Sequence, residues 1–232
     1  MTREGMTREL RSLVVINGGI GDPSSSRRLA DKIARDTVAQ LAARNVDASI
    51  RAIDLGPLAG EIAHAIVSGF PAGALLDAIS ELARADGVIV ATPVYKAGIS
   101  GLFKSFIDIL DDDLLVATPV VLTATAGTAR HALVVDDQLR PLFAYMRALS
   151  VPTSLFAAPE DWADPSLSRR SRRAAMELAA LVAGRVGASM AEAGWDGYQH
   201  SFGSQAVHRG VQIDGDVVDL DTDLMRRATG GI

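Results

Sequence analysis

The strongest constraint on this chain is the run over residues 12–29, SLVVINGGIGDPSSSRRL. Leu13, Val14, Val15 and Ile16 form a continuous apolar run of the length expected for a buried strand. A turn-rich segment, residues 18–23, and three serines follow, and then Leu29, Ile33 and Leu41 fall on one side of a helix. Strand, glycine and serine loop, and helix start in that order make an anion site. The first N–H groups of a helix lack internal partners, and its dipole puts partial positive charge at the same end. Ser24 and Ser26 add hydroxyl donors, and Arg27 and Arg28 add charge. The segment therefore reads as a phosphate cradle; the alternative is a plain strand-to-helix turn with a serine N-cap. It contains neither G-x-x-x-x-G-K-[ST] nor G-x-G-x-x-G, so neither a nucleoside-triphosphate loop nor a dinucleotide fingerprint is supported. A serine-rich cradle suits a mononucleotide.

Strand-like and helix-like stretches then alternate to about residue 194. Further strands are expected at 48–53, 87–91, 120–123 and 153–157, and further helices at 72–85, 102–110, 131–149 and 167–193. Gly56-Pro57 reads as a break after the second strand, and residues 92–100 read as a loop. Short continuous apolar strands alternating with helices predict an α/β fold with a parallel sheet covered on both faces. The expected architecture is a flavodoxin-like three-layer sandwich, a five-stranded parallel sheet in the order 2-1-3-4-5. Ligands of such sheets sit outside the strand carboxyl ends at the switch point. That gathers three loops: 18–26, 92–100 and 123–130. The expected division is a flexible N-terminus over 1–11, one domain over 12–194 and a C-terminal extension over 195–232. MTRE occurs twice at the start, so Met6 is an alternative initiation site.

Composition narrows the classes of function. A formal net charge of −5 over 232 residues argues against a general nucleic-acid binder. With no cysteine, disulfides, thiolate metal sites and a cysteine nucleophile are excluded. No apolar run reaches the length of a membrane span, and the polar start resembles no signal peptide. A cytoplasmic location is the expectation.

The second loop leads into ATPVYKAGISGLFKSFIDIL, residues 91–110. Pro93 stiffens the strand end, Tyr95 offers an aromatic face and a hydroxyl, Gly98 and Gly101 allow close approach, and Ser100 can cap a helix. Such a loop can lie along a flat heterocycle; it can equally be an ordinary βα connection.

Pro93, Val94, Tyr95, Lys96, Ser100, Gly101, Lys104 and Asp108 spell P-V-Y-K-x-x-x-S-G-x-x-K-x-x-x-D. That pattern resembles the NAD(P)H-dependent FMN reductase family, in particular the members that feed reduced FMN to alkanesulfonate-type monooxygenases. Residues 124–142, ATAGTARHALVVDDQLRPL, resemble the fourth-strand loop and helix of the same group. The resemblance covers about residues 13–162.

It implies an enzyme that passes a hydride from NADPH or NADH to FMN, with no protein nucleophile or metal. By the same resemblance Ser24, Ser26 and Arg27 match the phosphate loop, and Pro93, Val94, Tyr95 and Lys96 match the segment lining the isoalloxazine ring. Thr125, Gly127 and Thr128 match the loop at the ring's pyrimidine end, although the group often has two adjacent glycines where Ala126-Gly127 stands. Lys96 is also a candidate for the NADPH phosphates. The implied partners are the two small molecules FMN and NAD(P)H, a second copy or three further copies of the chain, and a flavin-dependent monooxygenase, with no nucleic acid and no membrane. The apolar positions Phe103, Phe106, Phe143 and Met146 exceed what one covered helix face needs, which points the same way, to a homodimer or homotetramer.

Competing readings are a quinone or azo reductase with bound FMN, a flavodoxin-type electron carrier without a nicotinamide site, and a binding module that lost the flavin. Asp111 to Asp113 read as a solvated helix end, and Trp162 and Trp195 as core or subunit contacts. His64, His131, His200 and His208 lack metal-ligand spacing. The basic run 169–173 reads as a charged helix surface, and the aspartates 214–223 lack EF-hand spacing.

Overall fold

The structure is a computed structural model that describes residues 10–194. The expectations about Met6, Trp195, His200, His208, the aspartates 214–223 and the 195–232 extension lie outside the described residues.

Strand β1 (Leu10–Asn17) opens the sheet and feeds helix α1 (Ser25–Ala42). Then come β2 (Asp47–Asp54), α2 (Leu55–Ser68), α3 (Gly73–Ala83), β3 (Gly87–Tyr95), a two-residue β4 (Gly98–Ile99) and α4 (Gly101–Asp108). The second half holds β5 (Pro119–Thr125), α5 (Arg140–Tyr145), β6 (Leu149–Ser150), β7 (Leu155–Ala157), α6 (Pro165–Ala183) and α7 (Val186–Gly194). Parallel pairing runs β2-β1-β3-β5, with β6 and β7 sharing the far side of β5. Taking β6 and β7 as one interrupted strand, this is the expected flavodoxin-like order 2-1-3-4-5, with helices on both faces.

Alternate residues of β1 explain the three layers. Leu13 and Val15 face one core with Leu29, Ile33 and Leu41 of α1 and Leu178 of α6, and all are fully buried. Val14 and Ile16 face the other, with Leu75, Phe103, Phe106 and Phe143. A strand buried on both faces reads as a continuous apolar run, which is why it was legible. No single described helix is long and apolar enough to cross a membrane.

Several elements differ from expectation. Gly56-Pro57 opens a helix instead of breaking the chain, because proline within the first turn loses no intrahelical hydrogen bond. β1 begins at Leu10 and so takes in Leu10 and Arg11, which fall within the expected flexible segment 1–11. Residues 92–100 are not a loop throughout. β3 runs on to Tyr95 and folds back on β4, pairing Val94 with Ile99 and Tyr95 with Gly98. The two turn residues, Lys96 and Ala97, have φ of 49° and 65°, the left-handed geometry that suits a tight hairpin.

The expected helix 131–149 is a short 3₁₀ turn (Ala129–His131), a π turn (Val135–Leu139) and α5. Pro141 has no N–H to give to the carbonyl of Asp137, so regular α geometry cannot pass through this point. The expected strand at Thr153 starts at Leu155, because Thr153 gives its N–H and hydroxyl to Glu177 of α6 at 2.8 and 2.7 Å. The long last helix splits at Arg185, whose φ is 52°.

The aspartates after α4 are not simply a solvated helix end. The Asp113 side chain is only 7% exposed and pairs with Arg147, while Tyr145 donates to Asp112 at 3.1 Å. Phe103, Phe106, Phe143 and Met146 are not a surplus stripe either. All four are buried inside the chain, and Phe103 and Phe143 meet at 6.4 Å between ring centroids.

Candidate functional site

The carboxyl ends of β1, β3 and β5 bring the three expected loops together, and hydrogen bonds fix them there. Asn17 ends β1 with its side chain buried and shapes the first loop. It accepts from the Gly19 N–H at 3.0 Å and donates to Gly19 O at 3.3 Å and to Asp54 at 2.8 Å. The Gly18 N–H reaches Ala91 O of β3 at 2.8 Å. Both glycines are required by close approach. A Cβ on Gly18 would lie 2.9 Å from Cβ of Phe103, and one on Gly19 would lie 2.3 Å from Oγ of Ser24. The loop backbone therefore runs tight against the start of α1 and against α4.

Ser24 is the N-cap of α1, its hydroxyl accepting the Arg27 N–H at 3.2 Å. Ser26 is 1% exposed, and its hydroxyl lies 2.7 Å from that of Thr125, which is 3% exposed. Ser25 donates to the same threonine at 3.3 Å. Each serine hydroxyl has one hydrogen and two lone pairs, so the capping Ser24 retains a donor. Arg27 turns sideways to Asp31 at 2.7 Å and Asp54 at 2.6 Å. Burial works against its charge, but the hydrogen bonds with Asp31 and Asp54 outweigh this and hold the guanidinium above its ordinary pKa. Its charge stands beside the cradle and is shared with two carboxylates, so the uncommitted donors of the cradle are hydroxyls and backbone N–H groups.

The carboxyl end of β3 carries half-buried Pro93 and Val94, with Tyr95 (49% exposed) and Lys96 at the hairpin tip. Thr92 accepts the Ser100 N–H at 3.1 Å, and Ser100 in turn caps α4 by accepting the Phe103 N–H at 3.4 Å. In the third loop, the Ala126 N–H reaches Ala157 O at 3.1 Å, and Gly127 and Thr128 lie exposed beyond it.

Three contributors were not read from the sequence. Asn17 was visible as a polar residue ending an apolar strand before two glycines. Ser25 was visible only as one of three serines. Gln138, from the π turn, accepts the Ile99 N–H at 3.0 Å and donates to Ala97 O at 3.3 Å. It pins the hairpin that carries Tyr95 and Lys96, and no local signal announces it.

The model of the NADPH-dependent FMN reductase family matches residues 11–163, which span all three loops. The chain belongs to this family. It is 36% identical over 169 residues to the NADH-dependent FMN reductase SfnE of Pseudomonas putida, covering 73% of this chain and 88% of that one. It is 34% identical over 178 residues to an FMN reductase (NADPH) of Pseudomonas aeruginosa, covering 75% and 93%. A solved oxidoreductase from Corynebacterium diphtheriae shares 44% identity and superposes with a TM-score of 0.74 over 76% of this chain and 98% of that one. The chain is thus an NAD(P)H-dependent FMN oxidoreductase, with FMN and a nicotinamide nucleotide as its redox pair.

The residues present fit a flavin mononucleotide. Gly19 keeps a side chain off Ser24 and Ser26, the serine hydroxyls and the start of an 18-residue helix lie beside it, and a hairpin with an exposed tyrosine stands at the same sheet edge.

Proposed function

We propose that FMN binds across the three loops, its phosphate on Ser24, Ser26 and the first N–H groups of α1, and its ring along Pro93, Val94, Tyr95 and Lys96. Thr125, Gly127 and Thr128 meet the pyrimidine edge. The observation that carries this reading is the buried hydroxyl contact between Ser26 and Thr125, which locks the phosphate end of the site to the ring end. Bound FMN supplies the hydride-accepting chemistry. The chain's residues hold and orient it. Backbone N–H groups at residues 127–128 stabilise negative charge at the pyrimidine edge, and Arg27, paired with Asp31 and Asp54, borders the phosphate. Binding of FMN and of riboflavin, followed by flavin fluorescence in the wild type and in a Ser24→Ala/Ser26→Ala variant, tests the assignment.

The same reading extends to assembly and context. The active form is a homodimer or homotetramer in the cytoplasm. Exposed Leu133 and Tyr145, on the segment that follows the third loop, supply apolar contact surface at 68% and 66% exposure. Light scattering that reports a single-chain mass at micromolar concentration rejects the oligomer. Its reduced flavin goes to a flavin-dependent monooxygenase, as the similarity to the Sfn reductases suggests.

A further inference from the structure

A charged concavity of the described residues lies outside the three loops. A cavity of about 350 Å³ between α1 and the start of α6 is lined by Arg28, Lys32, Arg35, Asp36, Trp162 and Leu167, with Ser168 at its edge. Positions 28, 32 and 35 fall on one face of α1 and span roughly 10 Å at 1.5 Å per residue. Asp36, the sole carboxylate in the lining, is already engaged by Ser171 at 2.9 Å and by Lys32 at 3.5 Å. Arg28 and Arg35 have no carboxylate partner among the described residues. The Arg28 guanidinium lies 4.8 Å from the centre of the Trp162 ring, which holds it at the wall of the cavity. Two uncompensated guanidinium groups therefore converge on a concave site with an indole wall, in a chain whose formal net charge is −5. Such a site takes a phosphomonoester dianion, because a guanidinium offers paired donors matched to phosphate oxygens.

Its position gives the source of that dianion. Arg28 follows the cradle by one residue, and Trp162 belongs to the segment after β7, whose Ala157 carbonyl accepts the Ala126 N–H of the third loop. The cavity thus borders the flavin-binding edge without sharing its residues. We propose that it receives the 2′-phosphate of NADPH and sets a preference for NADPH over NADH. The inference rests on the FMN reductase reading, since only a nucleotide working at the flavin brings this phosphate to that edge.

The test uses 2′,5′-ADP and 5′-AMP as probes, which differ in the 2′-phosphate alone. Calorimetric titration of the full chain is expected to show 2′,5′-ADP binding at least tenfold more tightly than 5′-AMP. An Arg28→Gln/Arg35→Gln variant, whose changes are on exposed side chains, is expected to bring the two within about threefold. Equal affinity of the probes in the wild type overturns the proposal, as does a ratio that survives in the variant. Inorganic phosphate serves as the third probe: displacement of 5′-AMP by millimolar phosphate without tighter 2′,5′-ADP binding marks a free-phosphate site and also overturns it. In parallel, kcat/KM for NADPH relative to NADH, with saturating FMN, is expected to fall about tenfold in the variant. Failure of the underlying reading looks different: the wild type then oxidises neither nucleotide with FMN, whatever the probes do.

Discussion

Ser26 and Thr125 stand 99 residues apart in the chain, yet their hydroxyl oxygens are 2.7 Å apart and sealed from solvent. One of the two donates to the other, and the remaining hydrogen is free to point out of the pair. With Thr125 as the donor the free hydrogen is that of Ser26, and with Ser26 as the donor it is that of Thr125; either way the pair presents one hydroxyl donor at the rim of the cradle.

Changing Ser24 and Ser26 together to alanine removes two hydroxyls but leaves the backbone donors. Hydrogen bonds to a charged group contribute about 1.5–3 kcal/mol each, so FMN affinity is expected to fall roughly 30-fold or more. Riboflavin, which lacks the phosphate, should change less than about threefold. Fluorescence titration of both flavins checks this, and parallel weakening of the two would remove the serines from the phosphate site.

Gln138→Ala should act on the ring end instead. It frees the Ile99 N–H and the Ala97 carbonyl of the hairpin. Two neutral hydrogen bonds contribute about 1 kcal/mol each, so FMN and riboflavin are expected to weaken by a similar factor, roughly 3- to 30-fold. An effect confined to FMN would contradict the hairpin role.

Gly18→Ala places a methyl 2.9 Å from the buried Phe103 Cβ. Overpacking of this kind destabilises by about 1–3 kcal/mol. Urea unfolding should show a lower midpoint with an unchanged slope, and an unaltered midpoint would mean that the loop yields without cost.

The start of α6 carries an acid-sensitive cap. The Asp164 carboxyl accepts the Ser166 N–H at 2.7 Å, which holds it below its ordinary value of 3.8, with Arg169 and Arg170 adding a smaller pull in the same direction. A carboxylate with a lowered folded-state pKa stabilises above its unfolded pKa and stops doing so as pH falls through the folded one. Wild type should therefore melt higher than Asp164→Asn at neutral pH, and the difference should shrink below about pH 4. Thermal melts across that window decide it; a difference that grows with acid would reverse the sign.

Sequence reading went furthest where one residue's surroundings determine its role. The four apolar residues of β1, the Leu29, Ile33 and Leu41 stripe and the pair Gly18-Gly19 all report immediate demands: two covered faces, one covered stripe, no room for Cβ. It stopped where the decisive partner lies far along the chain. Thr153 carries a strand pattern, but Glu177 claims its N–H. Lys96-Ala97 forms a tight turn without turn residues because Gln138 holds the hairpin from outside. The same limit explains the surplus attributed to Phe103, Phe106, Phe143 and Met146: a helix pattern shows how much apolar surface exists, not how deep the neighbouring elements sink it.

The interrupted last strand has a consequence for how copies of the chain can meet. β6 offers two paired residues and β7 three, with the chain pulled away toward α6 between them. An incoming strand finds no continuous row of amides and carbonyls on that side. At the opposite margin, β2 carries Asp47, Arg51 and Asp54. One border is broken and the other is charged, so the sheet resists growth by strand addition in both directions. Association is left to helical and loop surfaces, which keeps it finite rather than fibrous.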